Sequence, residues 1–206
     1  MLRVGLTGGI ASGKTTVAGL LRDREYQVLD ADALAHELLE PGQDAYKEVV
    51  RAFGEGILMP GGAVDRKKLG AIVFADADKR QRLNQIIHPR IHDITAKWFA
   101  ALGSGYAPEM AFEDAALIFE AGARKSLDRV IVCWCRPEQQ LERLVERGLT
   151  EEDARSRIAA QMPIDHKRRL ADEVIDCSGS IEETERQLEQ VLERLRQAAR
   201  AKRNIS

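Results

Sequence analysis

The sequence predicts an α/β protein: a five-stranded parallel sheet flanked by helices, with a helical segment inserted between the second and third strands. Three observations carry this. Residues 2–30 run strand, glycine turn, helix, strand, which is the opening of a βαβ unit. Further short apolar runs near residues 110, 130 and 174 are each followed by helical patterning. Between about residues 33 and 105 the pattern is mainly helical, with no convincing strand.

The elements follow in order. Residues 2–7 alternate apolar with small or polar side chains and then meet Gly8-Gly9. From Gly13 to about Arg24, Val17, Leu20 and Leu21 recur at helical spacing. Tyr26–Leu29 reads as a second strand that ends at Asp30-Ala31-Asp32. The helical stretch after it is broken at Pro41-Gly42, at 54–56 and at 60–62. Met110–Ala115 is the third strand, although Glu113 and Asp114 interrupt its apolar run. Val130–Cys135 is the fourth, and the pair Val174-Ile175 marks a short fifth. Pro137 suits a first helical position, and Thr150 before Glu151, Glu152 and Asp153 is a helix start. Ser180 with Glu183 three residues on forms a capping box. Leu188, Val191, Leu192 and Leu195 then line one face of a closing helix.

Composition narrows the function classes. With 206 residues the chain suits one domain, residues 1–206, carrying a sizeable insertion. A net charge of −2 disfavours duplex nucleic acid or an anionic membrane as partner. No apolar run approaches a membrane span, and MLRVGLTGGIASGK lacks the layout of a signal peptide. Cys133, Cys135 and Cys177 are read as buried thiols, with Cys133 and Cys135 on one face of the fourth strand. The expectation is a cytoplasmic protein, with a monomer favoured.

Gly8-Gly9-Ile10-Ala11-Ser12-Gly13-Lys14-Thr15 fits the phosphate-loop pattern G-x-x-x-x-G-K-S/T, between a strand and an amphipathic helix. Glycines let backbone N–H groups curl inward around an anion, and the helix dipole adds to the attraction. The expected nucleotide contacts are Gly9, Ile10, Ala11, Ser12, Gly13, Lys14, Thr15 and Thr16. Lys14 reaches the β- and γ-phosphates of ATP, and the Thr15 hydroxyl is a ligand for Mg2+. Asp114, or Glu113 beside it, is a second candidate for the metal, the alternative being a polar pair at a strand edge. The motif alone does not separate a kinase from a GTPase or an ATPase motor. The Asn-Lys-x-Asp signature of a GTPase is absent, and the short chain favours a small-molecule kinase.

Asp30 and Asp32 follow the second strand, at the sheet edge that carries the phosphate loop. An acid there can accept the proton of an attacking hydroxyl, whereas a turn and a helix cap are the structural alternative. The segments GLTGGIASGKTTVA, VLDADALAHEL, VDRKKLGAIVFAD, LNQIIHPRI, LIFEAG and QMPIDHKRRLADEVID, in this order, make the chain resemble the dephospho-CoA kinase family. The resemblance covers nearly the whole chain. It implies a P-loop kinase core with a helical substrate-binding insertion at about 33–105 and a lid at about 138–170. It also implies ATP-dependent phosphorylation of the ribose 3′-hydroxyl of dephospho-CoA, the last step of coenzyme A biosynthesis, with Asp32 as general base.

Other positions take their roles from the same comparison. Arg143 and Arg147, at i and i+4 in the lid region, are expected to neutralise the transferring phosphoryl group, a solvated face being the alternative. Arg66 and His88 fall in matched segments and are candidates to face the acceptor, although His88 before Pro89 also suits a helix end. The roles of Gln161 and Lys167 stay open, a solvated structural position being one possibility for each. Three residues depart from the family pattern. Ala11 stands where Gly is common, at a loop position the general motif leaves unconstrained. Ala116 replaces a common Pro, and Cys177 a common Asn, which puts a side-chain contact to adenine in doubt.

Overall fold

The computed structural model describes residues 1–104 and 108–204. Five strands and nine α-helices succeed one another along these residues. They are β1 (Leu2–Gly8), α1 (Lys14–Asp23), β2 (Gln27–Asp30), α2 (Ala31–Glu37), α3 (Asp44–Phe53), α4 (Arg66–Ala75) and α5 (Ala77–Gly103), then β3 (Met110–Asp114), β4 (Arg129–Trp134), α6 (Pro137–Glu146), α7 (Glu151–Ala159), α8 (Ile164–Leu170), β5 (Glu173–Asp176) and α9 (Ile181–Arg203). The chain forms two compact units, one of residues 31–94 and the other of the remainder.

In the larger unit the strands form one parallel sheet in the order β2-β3-β1-β4-β5. Alternation along each strand sends side chains to opposite faces. Met110, Phe112, Ile131 and Cys133 pack with Val17 and Leu21 of α1 and with Leu188, Val191, Leu192 and Leu195 of α9. Ala111, Val130 and Val132 pack on the other face with Phe99, Ile118 and Ile164. The connection leaving β1 runs towards β2, and the one leaving β3 crosses towards β4. Such a reversal opens a crevice beyond the carboxyl ends of β1 and β3, where open α/β sheets bind ligands.

The cap signals hold in detail. Thr150 accepts from the Asp153 amide, and Ser180 and Glu183 form both arms of a capping box. Cys135, by contrast, lies one residue beyond β4, so only Cys133 of that pair is a strand residue.

The second unit is built from α2, α3, α4 and the first part of α5 around Val49, Ile57, Leu69, Val73, Ile86 and Ile87. Its described backbone contains no strand beyond an isolated antiparallel bridge, Leu58 to Val64. It ends at Ile94, before the expected boundary near 105, which itself lies outside the described residues. The reason is packing: Trp98, Phe99 and Leu102, on the last turns of α5, belong to the core of the sheet unit. His88 does not end a helix, because α5 continues through Pro89. The missing proline N–H costs one helical hydrogen bond. Ile86 and Ile87 before it and Phe99 after it are nevertheless buried, and that burial holds the helix together.

Candidate active site

The phosphate loop bridges β1 and α1 at the crevice. Gly13 occupies the left-handed region at φ 98° and precedes the first helical residue, Lys14. A Cβ on Gly13 would lie 2.7 Å from Cys177 Cβ, so glycine is required there both by conformation and by space. Ala11 also has positive φ, 58°, which corrects the expectation that its position is unconstrained.

Two loop amides are already committed. The Ile10 N–H donates to Gln161 Oε1 at 2.8 Å, and the Ser12 N–H to the Gly9 carbonyl at 3.1 Å. Without nucleotide, these two N–H groups thus face protein acceptors. The Ile10 carbonyl in turn accepts from Gln140 Nε2 at 2.6 Å, so two glutamine side chains hold one residue from both its polar ends.

Lys14 Nζ donates to Asp114 Oδ1 at 2.6 Å, and both side chains are largely buried. Arg22 of α1 reaches towards the same carboxylate, with Nη2 3.7 Å from Asp114 Oδ2 and 3.9 Å from Asp30 Oδ2. The ends of β2 and β3 are thus joined to α1 by two cations and two carboxylates. Glu113, the other metal candidate, has its side chain on the opposite face of β3 by strand alternation. Thr15 and Thr16 are exposed in the first turn of α1.

Arg143 reaches two backbone carbonyls. Its guanidinium donates to the Ala11 carbonyl at 3.2 Å and to the Cys177 carbonyl at 2.7 Å, tying the phosphate loop to the segment after β5. Arg147 is the residue that ends α6, exposed and outside the helix proper. Asp32, Arg66 and His88 all belong to the second unit. Asp32 lies within the first turn of α2, so it is not the cap preceding a later helix. Arg66 opens α4, exposed, 3.6 Å from Glu40, and His88 sits half-buried in mid α5.

The three thiols lie under the phosphate loop. Cys133 donates to Cys177, which holds Cys177 below the ordinary thiol value, while burial pushes Cys133 well up. Burial also pushes Cys135 up to about 11, and its Sγ lies 4.0 Å from the Ala11 carbonyl. These are packing groups with little thiolate character at neutral pH in Cys133 and Cys135.

A family model described as dephospho-CoA kinase matches residues 2–183. The chain belongs to the dephospho-CoA kinase family. Among dephospho-CoA kinases, that of Geobacillus kaustophilus is 46% identical over 193 residues, covering 93% of this chain and 95% of the relative. That of Geobacter sulfurreducens is 47% identical over 189 residues, covering 91% and 95%. The likeness therefore includes both units. A crystal structure of a Thermus thermophilus protein superposes with a TM-score of 0.76 at 36% identity, covering 94% of this chain and 97% of that one. The dephospho-CoA kinase from Campylobacter jejuni gives a TM-score of 0.68 at 26% identity, covering 95% and 98%.

Within the dephospho-CoA kinase sequence, local patterns missed several residues that shape the site. Arg22 reads as an ordinary exposed helix position, and Gln140 as one polar residue among many. Gln161 and Lys167 stand in a family segment, but nothing in their neighbourhood announces burial. Lys167 has no exposed surface at all, which corrects the possibility of a solvated position.

Proposed function

We propose that this protein transfers the γ-phosphoryl group of ATP to the ribose 3′-hydroxyl of dephospho-CoA, giving coenzyme A and ADP. Membership of the family over residues 2–183 is the observation that carries the choice of acceptor. The phosphoryl-transfer chemistry rests on Lys14, held at the mouth of α1 beside Asp114.

The loop backbone and the dipole of α1 receive the β-phosphate, and Lys14 moves from Asp114 to the phosphate oxygens. Thr15 Oγ1 in the first turn of α1 and the Asp114 carboxylate at the end of β3 are hard oxygen donors, a donor set that fits Mg2+. With Thr15 and Asp114 as its protein ligands, Mg2+ would supply neutralisation of the charge on the transferring group. Asp32 accepts the proton of the attacking 3′-hydroxyl. The helical unit, through Arg66 and His88, serves the acceptor. Residues 138–170 form the lid, from which Arg147 supplies positive charge. Arg143 acts one step back, by holding Ala11.

Incubation with Mg-ATP and dephospho-CoA tests the reading, with ADP release followed by a coupled assay and the product mass checked. Equimolar ADP and coenzyme A are expected. Folded protein that turns over ATP only with a different alcohol, or not at all, overturns it.

A further inference from the structure

Lys167, on α8, is the only lysine or arginine that is fully buried among the described residues. Its Nζ donates to the Ala116 carbonyl at 2.6 Å and to the Gly8 carbonyl at 3.3 Å, and it pairs with Glu120 Oε1 at 2.8 Å. Three donors therefore meet three acceptors. Both ends of the cluster are braced. Ala116 O also accepts from Thr7 Oγ1 at 3.0 Å, and Glu120 Oε1 from the Met162 amide at 2.9 Å.

The position of these carbonyls matters. β1 and β3 are paired in register up to Leu6 and Asp114, and the last rung of backbone pairing is the Ala115 amide to the Leu6 carbonyl. Beyond that rung the two backbones diverge, one into the phosphate loop and the other into residues 115–122. Gly8 and Ala116 stand on the two branches, and Lys167 bridges them where the ladder no longer can. Lys14 follows from one branch, and Asp114 precedes the other. Packing alone does not call for an ammonium here. Burying one costs several kcal/mol before pairing, and an apolar side chain of similar volume fills such a space at less cost.

We propose that Lys167 is a positioning residue for phosphoryl transfer: it sets the separation between the phosphate loop and the Asp114 branch that Lys14, Asp114 and the Mg2+ of the nucleotide require. The inference rests on the function proposed above, because it is the transfer reaction that uses this separation. A displacement of about 1 Å at a reacting centre costs up to about 100-fold in rate. Loss of an outer residue that orients a metal ligand costs about 10- to 100-fold in metal affinity or activity.

The test compares wild type with Lys167→Met. ADP affinity is measured by calorimetry with and without Mg2+, and kcat and KM in the kinase assay. In the variant, the gain in ADP affinity on adding Mg2+ is expected to fall about 10-fold. Its kcat is expected to drop about 10- to 100-fold while KM for the acceptor stays near wild type. Should Lys167→Met fail to fold, Lys167→Arg keeps the charge with a longer reach and shows the same changes in smaller measure. A folded variant with an unaltered Mg2+ gain and unaltered kcat overturns the proposal, even if its thermal stability is lower. Because ADP titration needs no acceptor, it reports on Lys167 independently of whether dephospho-CoA is the substrate.

Discussion

Lys14 Nζ stands 2.6 Å from Asp114 Oδ1, so the lysine of the phosphate loop is held by the acid at the end of β3. The pair neutralises two largely buried charges, with side-chain exposures of 14% and 5%. A charge-assisted bond of this kind organises the loop before the nucleotide arrives and must be exchanged when it binds.

Asp114→Asn follows directly from that exchange. It frees Lys14 from its counter-charge but removes an anionic oxygen donor for Mg2+. A steady-state assay is expected to show kcat lowered by about 100-fold or more, with a higher Mg2+ concentration needed for half-maximal rate. Binding of metal-free ADP is expected to change little or to tighten. A variant with normal kcat and normal Mg2+ dependence refutes the metal role of Asp114.

Asp32→Asn separates chemistry from nucleotide binding. An amide cannot take the proton of the attacking hydroxyl, and general-base catalysis contributes about 100- to 10,000-fold. The expected outcome is a kcat lower by that range, with ADP affinity by calorimetry close to wild type. Full activity, or loss of ADP binding in a folded variant, shows that Asp32 does something else.

These two acids also show how far local pattern reaches. β1, the loop and α1 were legible because strand alternation, glycine placement and helical spacing all lie within about twenty residues. Asp114 was legible as a strand-end acid, but its pairing with Lys14 joins positions a hundred residues apart in sequence. Lys167 and Gly8 are more distant still, and no periodicity encodes a contact of that span. Residues 163–170 carry five charged or ionisable side chains in HKRR and its flanking Asp165, so the segment reads as solvated although one lysine turns inward. Pro89 misled in the opposite sense: its local signal is a helix end, and tertiary burial on both sides overrides it.

Ala11→Gly is expected to stabilise the protein. Ala11 holds φ at 58°, a conformation that costs an L-residue about 1–2 kcal/mol. Glycine removes that cost but loses about 0.5–1 kcal/mol through its freer unfolded chain. The net gain is about 0.5–1 kcal/mol, a rise in Tm of about 2 °C by calorimetry. ADP affinity is expected to stay within about twofold, because the Arg143 and Cys135 contacts to residue 11 use its carbonyl, which glycine keeps. A lower Tm contradicts this account of the loop.

Asp128 gives a pH-dependent prediction at the far end of the sheet. Burial pushes its carboxyl up, but the Arg3 amide and the Lys202 ammonium outweigh that and hold it below the ordinary value of 3.8. Its Oδ2 accepts from the Arg3 N–H at 2.7 Å, and Lys202 Nζ lies 2.7 and 2.6 Å from the two oxygens, fastening the end of α9 to the start of β1. A carboxyl whose folded value is depressed stabilises the fold fully above its unfolded value, and that contribution is lost as pH falls through the folded value. Asp128→Asn keeps an acceptor for Arg3 and removes the charge. With the pair partly exposed, the expected loss is about 1 kcal/mol at neutral pH. Urea unfolding of both proteins at pH 7, about 5 and about 3 is expected to show the same gap at the first two values and a narrowing gap below 3.8. A gap that is constant down to the lowest pH, or that widens there, means that the Asp128 charge does not fasten the helix.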